Sequence, residues 1–179
     1  ALPNVNSTSI PPQILSWHIH ILYFLADDVK ERALLLRDRT IEHFKEYLGP
    51  DCPGLFDNGR LCMIVDHDLH YGEPNGPFPA GEWSMFVPTP YLSLTLPWFI
   101  QNRGEFSLLL HPNSGYQYED HGIWASWTGQ SWPLNMAVFG SPNTKVNEFN
   151  TTYGDALNPS CLPASTVCGD ATTGPTTIC

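Results

Sequence analysis

Polar and apolar side chains change period several times along the chain, and each change marks an element. Ser16-Trp17-His18-Ile19-His20-Ile21-Leu22-Tyr23-Phe24 is rich in β-branched and aromatic residues and reads as a strand. Its alternation puts His18 and His20 on one face and Ile19 and Ile21 on the other. Next, Val29, Ala33, Leu36 or Arg37, Ile41, Phe44 and Leu48 recur at steps of three and four, which predicts a helix capped by Asp27 or Asp28 and stopped by Gly49-Pro50. Leu61-Cys62-Met63-Ile64-Val65 is a second strand, Gly72 to Gly81 a proline-rich loop, and Trp83 to Val87 a third strand. Thr89-Pro90 opens a second helix that runs to Gln101 and is kinked by Pro97. Glu105 to His111 forms a fourth strand, ended by Pro112.

Strand, helix, strand, strand, helix, strand is the order of a ferredoxin-like α+β fold, βαββαβ, with both helices on one sheet face and the other face open. In that topology the first and fourth strands are antiparallel neighbours, so His111 falls beside His18 and His20. The open face also offers a surface for a homodimer. Residues 1–15 carry Pro3, Pro11 and Pro12 and read as an irregular arm, 16–140 as the domain, and 141–179, rich in Asn, Thr, Ser, Pro and Gly, as a cysteine-bearing tail.

A length of 179 residues suits one such domain with a tail, and 42% hydrophobic content can fill its core. Eight basic residues against eighteen acidic ones give a net charge of -10, which argues against nucleic acid and anionic membranes as partners. Five of the basic residues, Lys30, Arg32, Arg37, Arg39 and Lys45, lie in the first helix. No apolar run has the length of a membrane span. The Ala1 start, the sequons at Asn6 and Asn150 and the five cysteines together predict a secreted, glycosylated, extracellular protein. Cys52 with Cys62, and pairs among Cys161, Cys168 and Cys179, are the candidate disulfides; five is odd, so one thiol pairs elsewhere or stays free.

The histidines carry the chemistry. His43 sits on the charged helix and reads as a surface residue. Two imidazoles in an H-x-H pair on one strand face are spaced to chelate one metal ion, and His111 supplies a third. Such a site suits zinc, copper or non-haem iron; iron(II) sites commonly hold three protein ligands and leave positions open for substrate and dioxygen. His67 and His70 reach this site only if the loop from Gly72 to Gly81 folds back. His121 follows Asp120 and is a candidate acid or base. Asp66, Asp68, Glu73 and Glu82 flank one loop and read as solvated carboxylates, while Trp124, Trp127 and Trp132 form either a platform for a phenol or sugar or a cover for the core. No nucleophile elbow, Walker loop, dinucleotide fingerprint or H-E-x-x-H helix is present.

Trp17 to Phe24, Gly76-Pro77-Phe78-Pro79 before a strand, Asn102-Arg103-Gly104 ahead of Leu108-Leu109-Leu110-His111-Pro112, and Asp120-His121 with Trp127-Thr128-Gly129 occur in an order and spacing that resembles the DOPA 4,5-dioxygenase family. The resemblance implies a ferredoxin-like, non-haem iron(II) enzyme that opens the ring of a catechol such as L-DOPA with dioxygen. It implies metal-ligand roles for His18, His20, His111 and His70, and proton-transfer roles for His121 and His70. Two departures are visible. The family's Gly-Pro-His-Pro reads Gly-Pro-Phe-Pro here, with Phe78, and Glu82 or Ser84 stands where the next strand carries a polar or acidic residue. These departures leave open an alternative: a secreted protein that binds copper or zinc on the same scaffold without turnover.

Overall fold

A computed structural model describes residues 14–50, 60–64 and 76–144. Five strands, β1 (Ser16–Tyr23), β2 (Cys62–Met63), β3 (Gly81–Pro88), β4 (Ser107–Pro112) and β5 (Ser126–Thr128), form one sheet in the order β2-β3-β1-β4-β5. Every neighbouring pair is antiparallel. Among the described residues three α-helices accompany them: α1 (Asp27–Phe44), α2 (Leu92–Asn102) and the short α3 (Gln117–His121). No helix among the described residues is long and apolar enough to cross a membrane.

The alternation of β1 divides the molecule. Ile19, Ile21 and Tyr23 point to one face, where they join Trp83, Met85 and Val87 of β3, Phe106 with Leu108 and Leu110, and the helix residues Ala33, Leu36, Phe44 and Phe99 in a single core. Trp83 anchors α1 to the sheet by donating from Nε1 to the Ala33 carbonyl at 2.9 Å. His18 and His20 point to the other face.

Several expectations change on the structure. The histidine-bearing face is covered rather than open. Leu22, Phe78 and Leu109 are buried there beneath Trp127, Trp132 and Leu134, and Trp132 Nε1 donates to Ser107 Oγ at 2.9 Å. Residues after β4 turn back across this face, because Leu22 and Leu109 present apolar surface that must leave water. The tryptophans Trp127 and Trp132 therefore belong to this cover. Helix α1 is capped by Ala26, which provides no side-chain hydrogen bond. Asp27 and Asp28 instead lie in the first turn, where the helix dipole favours negative charge, and Asp28 pairs with Arg32 at 3.0 Å. The second strand is shorter than its apolar run suggests.

His43 is exposed and stacks on Trp98, with ring centroids 4.9 Å apart. Cys62 is buried and disulfide-bonded. Asn6, Asn150, His67, His70 and the other four cysteines lie outside the described residues.

Candidate functional site

His18 of β1 stands directly opposite His111 of β4 in the strand register, and His20 opposite Leu109. Two antiparallel strands thus bring together residues far apart in the chain, as the strand order predicts. The ligand atoms that His18, His20 and His111 offer all lie within 4.8 Å of one another. All three rings are buried, at 3%, 5% and 2% exposure.

Hydrogen-bond partners fix the tautomers. The carbonyl of Pro112 can only accept, so His111 donates to it from Nδ1 at 2.8 Å. The carboxylate of Glu82 likewise accepts from His20 Nδ1 at 3.2 Å. Each ring then leaves Nε2 as a bare lone pair, and these two Nε2 atoms face each other at 3.0 Å. Two lone pairs at that distance repel unless a cation or proton lies between or beside them. A carboxylate or carbonyl behind an imidazole, holding its outer N–H, is the usual support of a metal-binding histidine. The donor set therefore fits a metal ion.

His121 enters the same cluster from α3. It donates from Nδ1 to the Gln117 carbonyl at 3.0 Å, and its ring centroid lies 3.9 Å from that of His111. It is partly exposed, unlike the other three imidazoles. Burial pushes the pKa of both His20 and His121 down to about 3, with the charge of His20 adding to the effect on His121. Burial also holds His111 well below its ordinary value, helped by His121, His18 and His20. At neutral pH these rings are uncharged, the state in which imidazole binds a metal. The contact between His20 and Glu82 is then a hydrogen bond to a carboxylate.

Aromatic rings enclose the cluster. Phe78 lies against His20 at 4.7 Å between centroids, Phe86 against His18 at 5.9 Å, and Phe139 stacks on His121 at 4.3 Å. Phe139 ends a 3-10 turn (Met136–Phe139), and the Asn135 N–H donates to the Pro77 carbonyl at 2.8 Å, which ties this segment to the turn carrying Phe78. Sequence reasoning noticed Phe78 only as a departure and missed Phe139, which stands in an irregular stretch with no periodic signal.

The neighbouring carboxylates serve as struts. Asp120 accepts from Ser114 Oγ at 2.6 Å and from the Ser114 N–H at 3.1 Å, while burial pushes its pKa up to about 7 against those hydrogen bonds. Glu119 accepts from the Asn143 N–H at 2.7 Å. The remaining motif residues are also structural. Gly104 ends α2 at φ 61°, and Gly129 (φ 90°) lies so close to Arg103 that a Cβ there would sit 2.9 Å from Nη1. Arg103 uses that space to donate to the Phe106 carbonyl at 2.6 Å.

Residues 17–138 match the Dopa 4,5-dioxygenase family. The chain belongs to that family. A DOPA 4,5-dioxygenase of Amanita muscaria is 30% identical over 132 residues, which cover 73% of this chain and 52% of that protein. A 21.2 kDa protein of Botryotinia fuckeliana is 33% identical over 75 residues, covering 37% of this chain and 40% of that one. The chain thus spans about half the length of the Amanita relative or less of the other. A crystal structure of a proposed dioxygenase from Nostoc punctiforme shares the fold, with a TM-score of 0.51 and 21% identity over 70% of this chain and 90% of that one. Within the family, His18, His20, His111 and His121 are the histidines that the described structure draws into one cluster.

Proposed function

We propose that this protein is a metal-dependent dioxygenase of the extradiol type that acts on catechol-like aromatics, L-DOPA being the substrate that the name of the Amanita relative carries. The observation that supports this reading most is the facing pair of Nε2 lone pairs on His20 and His111, with His18 beside them. His18, His20 and His111 would hold the ion, and His70, outside the described residues, remains a candidate ligand or proton carrier. Iron(II) is the favoured metal; when bound, it would supply a Lewis acid for the two substrate oxygens and a path for electrons to dioxygen.

The chain's own residues provide the rest. Glu82 holds His20 in the tautomer that presents Nε2. Phe78, Phe86 and Phe139 exclude water from the imidazoles. His121 presents a bare Nε2 at the partly exposed side of the cluster, placed to take the proton that a catechol hydroxyl releases. The net reaction breaks the ring bond beside the diol and places both atoms of dioxygen in the product, so no outside reductant is consumed. We also propose the ferredoxin-like arrangement for the domain, on its strand order, and an extracellular setting, on the disulfide of Cys62 and the two sequons.

Anaerobic reconstitution with iron(II), followed by a catechol and air, tests the activity. A yellow ring-opened product with matching oxygen uptake is the expected result; bound iron without oxygen uptake would overturn it. That second outcome defines the alternative, a copper- or zinc-binding protein without turnover. Phe78 favours it, since a phenyl ring packs on His20 where the family pattern carries an imidazole.

A further inference from the structure

His121 is the one histidine of the cluster that no strand carries. It ends α3, a helix of 5 residues, too short to be stable through its own hydrogen bonds. Tyr116, which precedes that helix, caps it with no side-chain hydrogen bond. Phe139 and Phe78 lie against the imidazole, but apolar contacts have no fixed direction. The placement of α3 against β4 therefore needs directional bonds from elsewhere.

A run of polar side chains joins the three elements that carry the cluster. Immediately after β4, the Asn113 N–H donates to the Ser16 carbonyl and Asn113 Nδ2 to Ser16 Oγ, each at 3.0 Å. The end of β4 is thus tied to the start of β1. Ser114 continues the run toward α3. Its N–H donates to Asp120 Oδ2 and its hydroxyl to Asp120 Oδ1, while Oγ accepts from the Tyr116 N–H at 3.2 Å. Gly115 makes the turn between them at φ 91°, in the left-handed region. Ser16, Asn113 and Asp120 are all buried, where such groups are costly unless hydrogen-bonded.

Asp120 is therefore gripped at both carboxylate oxygens by one residue, and that residue follows His111 and Pro112 closely in the chain. Two bonds of fixed geometry leave the carboxylate little freedom to slide or turn. The residue after Asp120 is His121, whose ring centroid lies 3.9 Å from that of His111.

We infer that Ser114 and Asp120 are positioning residues that set the His121 imidazole against His111, so that its Nε2 stands ready for the proton assigned to it. The inference rests on the dioxygenase reading for that proton, and on the hydrogen bonds alone for the placement.

Modification of the metal-free full chain by diethylpyrocarbonate, followed at each histidine by mass spectrometry, measures how firmly the His121 ring is held. Ser114→Ala should raise the rate at His121 by about threefold or more while His18, His20 and His111 stay slow. Ser114→Thr keeps the hydroxyl and should restore the wild-type rate. Asp120→Asn keeps one acceptor and should fall between the two; it carries the test if Ser114→Ala does not fold. In the iron(II)-loaded chain, Ser114→Ala should lower kcat on catechol by about tenfold with KM little changed. In a His121→Ala background the same substitution should cost nothing further. An unchanged rate at His121, an equal rise at all four histidines, or additive losses of kcat would each overturn the inference. A selective rise at His121 in a chain that takes up no oxygen overturns the dioxygenase reading and leaves the placement of His121 in force.

Discussion

His20 and His111 meet Nε2 to Nε2 at 3.0 Å across the β1 and β4 pair, each turned so by an acceptor behind its Nδ1. The contact sets two lone pairs against each other. Its stability without a ligand is limited by lone-pair repulsion, and a cation relieves it. Adding metal at about a hundredfold above its Kd should therefore stabilise the wild-type chain by about 2.7 kcal/mol, seen as a rise in Tm. In His18→Ala/His20→Ala the rise should vanish and metal content should fall to background. Because both rings are buried, that variant should also lose roughly 1–3 kcal/mol of its metal-free stability, measured by urea unfolding.

Glu82 accepts from Nδ1 of His20 at the edge of the site. Glu82→Ala should lower metal affinity by about 10- to 100-fold, read by competition with a chelator, and Glu82→Gln should recover part of it because the amide oxygen still accepts from Nδ1. Equal affinities in all three proteins would remove Glu82 from the account.

Acidification provides a third check, on metal-free protein. The pKa of His20 and of His121 is about 3 in the folded chain against an ordinary value near 6.5, so the unfolded chain binds more protons between those values. Their contribution is complete above pH 6.5 and is lost as pH falls toward 3, and His111 acts in the same direction. Asp120 opposes them, since its folded pKa of about 7 means that the native state binds the extra proton between about 4 and 7. The histidines outnumber it, so Tm should fall as pH drops from 7 to 4. Asp120→Asn removes the opposing group, and the fall should then be steeper, by about 1.4 kcal/mol per pH unit for one proton.

Gly129 joins two requirements in one position, a left-handed backbone and room for the Arg103 guanidinium. Gly129→Ala should cost about 1–3 kcal/mol in urea unfolding. Combined with Arg103→Ala the losses should be less than additive, because part of each comes from the same contact.

Restoring an imidazole at Phe78 separates the two functional readings. Phe78→His should raise metal affinity if the ring at this position reaches the ion, and oxygen uptake gained by this variant over a wild type that lacks it would mark Phe78 as the cause. Metal titration and oxygen electrode traces on both proteins measure these outcomes.

Much of this arrangement was legible before any coordinates. Period-two alternation put His18 and His20 on one face, and the element order alone placed His111 next to them; the register pairs His18 with His111 directly. What lay beyond reach was the second layer. Phe139, Trp132 and Ser114 stand in stretches without periodicity, held by single long-range contacts such as Asn135 N–H to the Pro77 carbonyl, and no local propensity encodes such a contact. The expectation of an open sheet face failed for that reason. Asp120 illustrates the same limit: its place next to His121 in sequence does not reveal its partner, and its carboxylate turns to hold Ser114.

The two Nε2 atoms that face each other belong to residues separated by 91 positions. During synthesis, His18 and His20 emerge long before the strand that completes their set, so a nascent chain holds only the incomplete H-x-H pair. An ion held by all three rings would need β1 and β4 already paired, so its loading would depend on the assembled sheet.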